Sequence, residues 1–489
     1  MLIKLVLLIV FFVIMTIVGI YSRKHTTSVE GFVLGGHKAG PWLTAFAYGT
    51  SYFSAVVFIG YAGQFGWKYG VSSVCIGIGN AVIGSLLAWI ILGKRTKNMT
   101  QKLKSRTMPE FFEKRYDSKG LKIAASVICF IFLVPYTASI YNGLSRLFQM
   151  AFNIPFAVCV IGMALFTGVY VILGGYMATA INDFIQGIIM LSGIVVVIIA
   201  VLHENGGFTS ALTQLAQIES DQVVTAGQTG LFSSFPGPDP LNLLGVVILT
   251  SLGTWGLPQM IGKFYAIKDE KSIKAGTIIS TIFAIIVAGG SYFLGGFARL
   301  YKGRNIYAKD GSVIYDSIIP EMLSNLPDIL IGIVVILVLS ASMSTLASLV
   351  LTSSSTLTLD CIKGFVIKNM KERTQVIMMQ VFIVVFIGVS VVLALNPGTF
   401  IAQLMGVSWG ALAGSFLAPF LYGLYMKNAT KTGAWVCFFS GTGITISNML
   451  FHYIESPINA GAFAMVAGLV LMPIVSLFTK GNVKKEALQ

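Results

Sequence analysis

The sequence predicts an all-α polytopic membrane protein of about 13 transmembrane helices, with the N-terminus outside and the C-terminus inside. Three observations carry that expectation. Only 11% of the 489 residues are charged against 55% hydrophobic, with a mean hydropathy of +0.83; a water-soluble chain carries roughly a quarter charged residues. The apolar residues fall in runs of about 20, the length at which a helix crosses roughly 30 Å of hydrocarbon. The positive charges gather in alternate connecting segments.

The first run, 3–21, has no small-residue cleavage site before Ser22 and reads as a retained helix. Runs 41–64, 70–93, 121–148, 155–175 and 182–202 follow. Next come 240–262, 274–298, 328–358, 376–395 and 399–425, and 432–452 and 460–479 close the series. The chain is read as one membrane domain over 1–489: an extra N-terminal helix, a first repeat over 41–202, a second over 240–425, and two C-terminal helices over 432–479. The longest connections, 203–239, 94–120 and 299–327, leave no room for a soluble domain. Within the first of them, Thr209–Ile218 has the regularity of a short surface helix.

Orientation follows from the basic residues. With the N-terminus outside, the inner segments hold Arg23, Lys24 and Lys38, then ten basic residues from Lys94 to Lys122. They also hold four from Lys263 to Lys274, four from Lys363 to Arg373, Lys427 with Lys431, and three from Lys480 onward. The 204–239 segment, on the other side, holds none. This is the positive-inside asymmetry. It accounts for the net charge of +14 as a topology signal with a secondary attraction to anionic lipid. The lipid bilayer is the expected partner and nucleic acid is not. The cysteines (Cys75, Cys129, Cys159, Cys361, Cys437) sit singly in or beside apolar runs, so neither a disulfide framework nor a metal centre is expected.

Two runs are interrupted. The second carries a polar cluster, Ala45 to Ser54, inside an apolar helix. Five runs later, Ser251-Leu252-Gly253-Thr254-Trp255-Gly256-Leu257-Pro258-Gln259 breaks the backbone with glycine and proline. Freed amides and carbonyls at membrane depth must be satisfied by protein, water or a ligand, and paired broken segments point to a transporter's binding site. A five-plus-five repeat would pair these two. The solute is expected between them, at Ser51, Tyr52, Ser54, Thr254, Trp255 and Gln259, with Tyr136 of the fourth run as either a contact or a packing residue. Trp67 reads as an interfacial anchor.

Ionisable groups inside a membrane mark function by default. Asp183 is the acidic candidate and shares a helix face with Gln186; the competing reading is a helix N-cap. In the ninth run, Ser340 to Ser348 places positions 341, 344, 345 and 348 on one face. Hydroxyls there would offer oxygen to a hard monovalent cation. Alternatively they bond their own preceding carbonyls or let helices pack closely. No nucleophile–base pair or phosphate loop appears in the runs, so an enzyme is not expected.

These segments resemble the sodium/solute symporter family over nearly the whole chain. The resemblance rests on Leu34-Gly35-Gly36, Met108-Pro109-Glu110-Phe111-Phe112 with Arg115 and Tyr116, the Gly174–Gln186 stretch, Pro258 with the cytoplasmic Lys263, and the Ser340–Ser348 run. It implies a leucine-transporter-like core of ten helices, here with one before and two after. It also implies sodium as the coupling ion, held by the backbone carbonyls of Thr50, Phe53 and Ala341 and the hydroxyls of Ser344 and Thr345. Asp183 matches the family's sixth-span aspartate, associated with sodium passage or a second ion. Members with a second sodium site carry paired hydroxyls one turn on, where this chain has Ala347 and Ser348. Proline-transporting members carry an acid and a tryptophan where this chain has Tyr52 and Val56, whereas Ser54 and Tyr136 match them. The expected function is sodium-driven symport of a small organic solute, an amino acid such as proline or a small carboxylate. It would proceed by alternating access, in a monomer of the cell (inner) membrane. The alternatives are a proton-coupled porter using Asp183 and a membrane receptor that binds solute without moving it.

Overall fold

The computed structural model describes residues 2–22, 28–37, 40–222, 225–301, 306–367, 369–396 and 398–479. Arg23, Lys24, Lys38, Lys368 and the basic residues from Lys480 onward lie outside them. Among the described residues the chain is helical and forms no strand. Eleven helices among the described residues are long and apolar enough to cross a membrane. Nine of these run from 21 to 36 residues, but Val56–Leu103 and Phe156–Glu204 run 48 and 49. A straight helix that long would measure roughly 70 Å, more than twice the hydrocarbon thickness. Both stretches break. One does so at Gly70 (φ 61, ψ −141), where the 70–93 run is expected to begin. The other does so at Gly175 (φ 53, ψ −150), where the 155–175 run is expected to end.

Ends are set locally by caps. The Ser118 side chain accepts from the Leu121 amide to start Lys119–Phe152, which terminates at a left-handed Asn153. Thr107 and Thr430 start Met108–Tyr116 and Lys431–Phe451 in the same way. A short helix, Phe208–Ala216, stands where the surface helix is expected.

Two helices are central. The apolar window of Ile401–Tyr425 is 89% buried and that of Asp328–Lys363 is 78% buried, against 22% for Leu2–Ser22 and 33% for Glu372–Leu395. Asp328–Thr356 packs on Phe156–Glu204, Lys119–Phe152, Leu2–Ser22 and Pro41–Tyr52. The peripheral helices turn large apolar side chains such as Ile17, Val392 and Leu477 outward, as a lipid-facing surface requires. Close approach relies on small residues: a Cβ on Gly66 would lie 1.9 Å from the Gly295 carbonyl oxygen.

Trp67 departs from the expected interfacial anchor. It is 3% exposed. The buried Arg299 guanidinium lies 4.7 Å from its ring and donates to its carbonyl, while binding Asp221 through two nitrogens. The indole therefore serves to seat a buried cation, which an aromatic ring attracts through its face.

Candidate functional site

Pro41–Tyr52 stops at Phe53 (φ −105, ψ 132), and helical turns resume at Val56. Ending a helix leaves its last carbonyls without partners, and here the side chains of Asp328–Thr356 answer them. Ser344 Oγ donates to the Thr50 carbonyl at 2.9 Å and Thr345 Oγ1 to the Phe53 carbonyl at 3.1 Å. Both hydroxyls also lie within 3.2 Å of the Ala341 carbonyl. All five residues are buried. The structure thus brings together the five residues expected to hold the ion: three carbonyl and two hydroxyl oxygens at the negative end of a helix dipole. A hydroxyl that turns its hydrogen away presents a lone pair, so the cluster is suited to a hard cation. Across the break, the first amides of the following half are capped by serines: Val56 donates to Ser54 Oγ and Ala55 to Ser342 Oγ, both at 3.2 Å.

The second break runs from Leu252 through a single tight turn, Gly253–Trp255, to a new helix opened by Pro258. Its freed Thr250 carbonyl accepts from the Tyr52 hydroxyl at 2.6 Å. Thr254 Oγ1 and Trp255 Nε1 donate to the carbonyls of Gly84 and Ile83, so their polar atoms hold the break against the neighbouring helix. The Tyr52 ring stacks on Trp409 at 6.4 Å, and Tyr136 meets the same indole edge-on at 5.9 Å. The Tyr136 hydroxyl stands beside Ser54 and Trp409, but neither it nor Trp409 Nε1 makes a hydrogen bond of good geometry among the described residues, although such groups normally find one. Sequence reasoning misses Trp409. A tryptophan at mid-run, away from either interface, is the signal that points to it.

The largest correction concerns Lys263. Its place in a basic run suggests a cytoplasmic loop, yet it lies in the last turn of Pro258–Tyr265 and is 2% exposed. The attraction that draws it inward is Asp183: Nζ lies 3.5 Å from Asp183 Oδ2. Nζ also donates to Ser348 Oγ at 3.0 Å and sits 5.4 Å from the Tyr176 ring centre. Ser348 Oγ in turn lies 3.0 Å from Ser51 Oγ. Asp183 is eight residues past the Gly175 break, inside a helix, so the N-cap reading is overturned. Gln186 does not join the pair; its amide points to Met15 Sδ. Gln259, Lys263 and Ser348 line a small cavity of about 50 Å³ that reaches Arg106, Thr107 and Met108 in the segment after Leu103. The expected solute residues therefore divide. Ser51 and Gln259 stand on the lysine side, Tyr52 and Tyr136 beside Trp409, and Ser54, Thr254 and Trp255 in the backbone of the breaks.

Comparison with known proteins gives a consistent picture. The profile described as the Sodium:solute symporter family matches residues 32–441. The osmoregulated proline transporter OpuE of Bacillus subtilis (strain 168) is 28% identical over 485 residues, 98% of this chain and 94% of that protein. The sodium/proline symporter of Staphylococcus aureus (strain NCTC 8325 / PS 47) is 28% identical over 496 residues, covering 98% and 93%. Among solved structures, a substrate-bound, outward-open Na+-coupled sialic acid symporter superposes with a TM-score of 0.78 at 16% identity, covering 98% of each chain. The nucleobase-cation-symport-1 family transporter MHP1 superposes at 0.52 and 14% identity, covering 94% and 98%. At these identities the two structures speak for a shared fold.

Proposed function

The chain belongs to the sodium:solute symporter family, and from that premise we propose that it couples the inward movement of sodium to uptake of a small carboxylate-bearing solute. Its multi-pass helices belong in the cell (inner) membrane, and its partners are sodium, the solute and lipid. The observation that carries the reading is the meeting of the Thr50, Phe53 and Ala341 carbonyls with the Ser344 and Thr345 hydroxyls across a helix break. An ion there would tie the inner half of the broken helix to the central helix Asp328–Thr356. Whichever conformation completes those five ligands is the one sodium favours, and a coupling free energy of roughly 1–3 kcal/mol suffices to drive solute affinity.

Counting the Gly70 and Gly175 breaks as turns at the bilayer surface gives 13 crossings, N-terminus out, in a five-plus-five arrangement. The cavity lined by Lys263 and Arg106 then faces the cytoplasm, and Asp183 lies on the exit route. The solute is placed beside Tyr52, Tyr136 and Trp409, with Ser51, Ser54, Thr254, Trp255 and Gln259 around the two breaks. Tyr136 O–H and Trp409 N–H are donors, which suits a carboxylate; the rings suit an apolar portion next to it. An amino acid such as proline fits both, in keeping with the named activity of the relatives.

The test is uptake of labelled amino acids, small carboxylates and sugars by proteoliposomes, under an inward sodium gradient, a potassium-only control and a proton gradient. Accumulation that requires sodium is expected. Accumulation on protons alone would transfer the ion role to Asp183, and binding without accumulation would indicate a receptor.

A further inference from the structure

Resting on the sodium-symport reading, we propose that the Lys263 ammonium is a built-in cation occupying a second ion position between Asp183, Ser348 and Ser51, so that one sodium ion accompanies each solute.

Ser348 lies on the same helix face as Ser344 and Thr345, one turn further along, a rise of roughly 5 Å. Its hydroxyl, the Asp183 carboxylate and the Ser51 hydroxyl are oxygen ligands, as are the carbonyls and hydroxyls clustered around Ser344. The lysine meets the first two, the Ser348 hydroxyl and the Asp183 carboxylate, as a bare cation would. Its ammonium donates to Ser348 Oγ, faces Asp183 Oδ2 and lies over the Tyr176 ring. A hydroxyl, a carboxylate and an aromatic face each stabilise positive charge in a dry interior. Because Ser348 accepts from Lys263, its own hydrogen is free to reach Ser51 Oγ, next in sequence to the Thr50 carbonyl of the sodium cluster.

The pair is neutral overall, which is what allows an aspartate and a lysine, both fully buried, to lie at membrane depth. A sodium ion added beside the ammonium would meet like charge at close range. Without the ammonium, the carboxylate and the two hydroxyls remain. Asp183 Oδ1, buried and without a hydrogen-bond partner among the described residues, supplies a further ligand. Lys263 also rides on the half-helix that begins at the second break; it reaches the central helix at Ser348, which in turn is bonded to Ser51 of the first broken helix. The tethered cation therefore sits where the three would move relative to one another.

The experiment counts sodium ions by equilibrium binding of labelled sodium to purified protein in detergent. The samples are wild type, Lys263→Met, and the double variant Asp183→Asn/Lys263→Met, with sodium-activated uptake measured in proteoliposomes alongside. One ion is expected for wild type, two for Lys263→Met and one for the double variant. The Hill slope of uptake should rise from near 1 toward 2 in Lys263→Met. If that variant is recovered poorly, thermal unfolding across sodium concentrations reads the same site, because each bound ion adds to the sodium dependence of the folded state. Its midpoint should then climb about twice as steeply with sodium as that of wild type. Two ions in wild type, or one ion and an unchanged slope in Lys263→Met, would overturn the proposal while leaving sodium symport intact. Sodium-independent uptake by wild type with no bound sodium would instead sink the symport reading.

Discussion

The Tyr52 hydroxyl donates to the Thr250 carbonyl at 2.6 Å, so the interruption of one helix is hydrogen-bonded directly to the interruption of the other. Both residues are buried. The contact ties the two halves of the expected repeat together at the depth where each loses its own backbone pairing, and a side chain of one break replaces the missing partner of the other.

Replacing Tyr52 with Phe keeps the ring on Trp409 and removes only that donor. Leaving a buried acceptor unsatisfied costs roughly 1–3 kcal/mol. A lower thermal midpoint and slower uptake are expected. An unaltered midpoint would mean that the Thr250 carbonyl has another donor.

The proposed sodium role of the oxygen cluster predicts a contrast at one position. Thr345→Val preserves shape and deletes the hydroxyl, so the sodium concentration for half-maximal uptake should rise about tenfold or more, equivalent to roughly 1.4 kcal/mol of ion affinity. Thr345→Ser should stay near wild type, and Ser344→Ala should behave like the valine variant. Wild-type sodium dependence in both deletions would place the ion elsewhere.

Gly175 carries φ 53 and ψ −150, and a Cβ there would lie 3.0 Å from both Phe32 Cδ2 and the Phe32 carbonyl oxygen. Gly175→Ala therefore combines backbone strain with a clash, and a loss of roughly 1–3 kcal/mol is expected. Gly388 lies inside Glu372–Leu395 with nothing within 4 Å of the added carbon. Alanine there should be neutral or stabilise by roughly 0.5–1 kcal/mol. Thermal unfolding of the two variants side by side checks the difference.

Asp316, on the short helix Tyr315–Leu323, accepts from the Ile401 amide at 3.2 Å and lies 4.0 Å from Arg146 Nε. Burial pushes its carboxyl up to about 6, against the opposing pull of Arg146 and of the amide. A folded value above the usual 3.8 means that the folded state holds the proton more tightly. Stability from this group is greatest at low pH and is lost as pH rises from about 4 to about 6. Between pH 7 and pH 5 wild type should gain about 1 kcal/mol relative to Asp316→Asn. Unfolding midpoints of both proteins across that range test the sign. A parallel pH dependence would remove Asp316 as its source.

The oxygen cluster is legible in the amino-acid sequence because its parts are local: a polar break in one run and a hydroxyl-bearing face in another, each with helical spacing. Asp183 is visible there as an acid among apolar residues. Lys263 is misleading for the converse reason. In sequence it opens a basic run, and only the position of Asp183, 80 residues earlier, draws it inside. Trp409 and the Tyr136 hydroxyl come from helices more than 250 residues apart, and nothing in either run announces the other. Trp67 has the sequence position of an interfacial residue, and it is Arg299 against its ring that gives it a different role.

The sequence by itself determined the membrane class, the all-helical character, the sites of both breaks and the residues of the oxygen cluster. These follow from hydrophobic length, from glycine and proline chemistry and from helical periodicity, which act over a few turns. The tertiary structure decided which polar groups pair. Hydrogen bonds and ion pairs at membrane depth are made between helices distant in sequence, and a buried charge takes the partner that packing brings within reach.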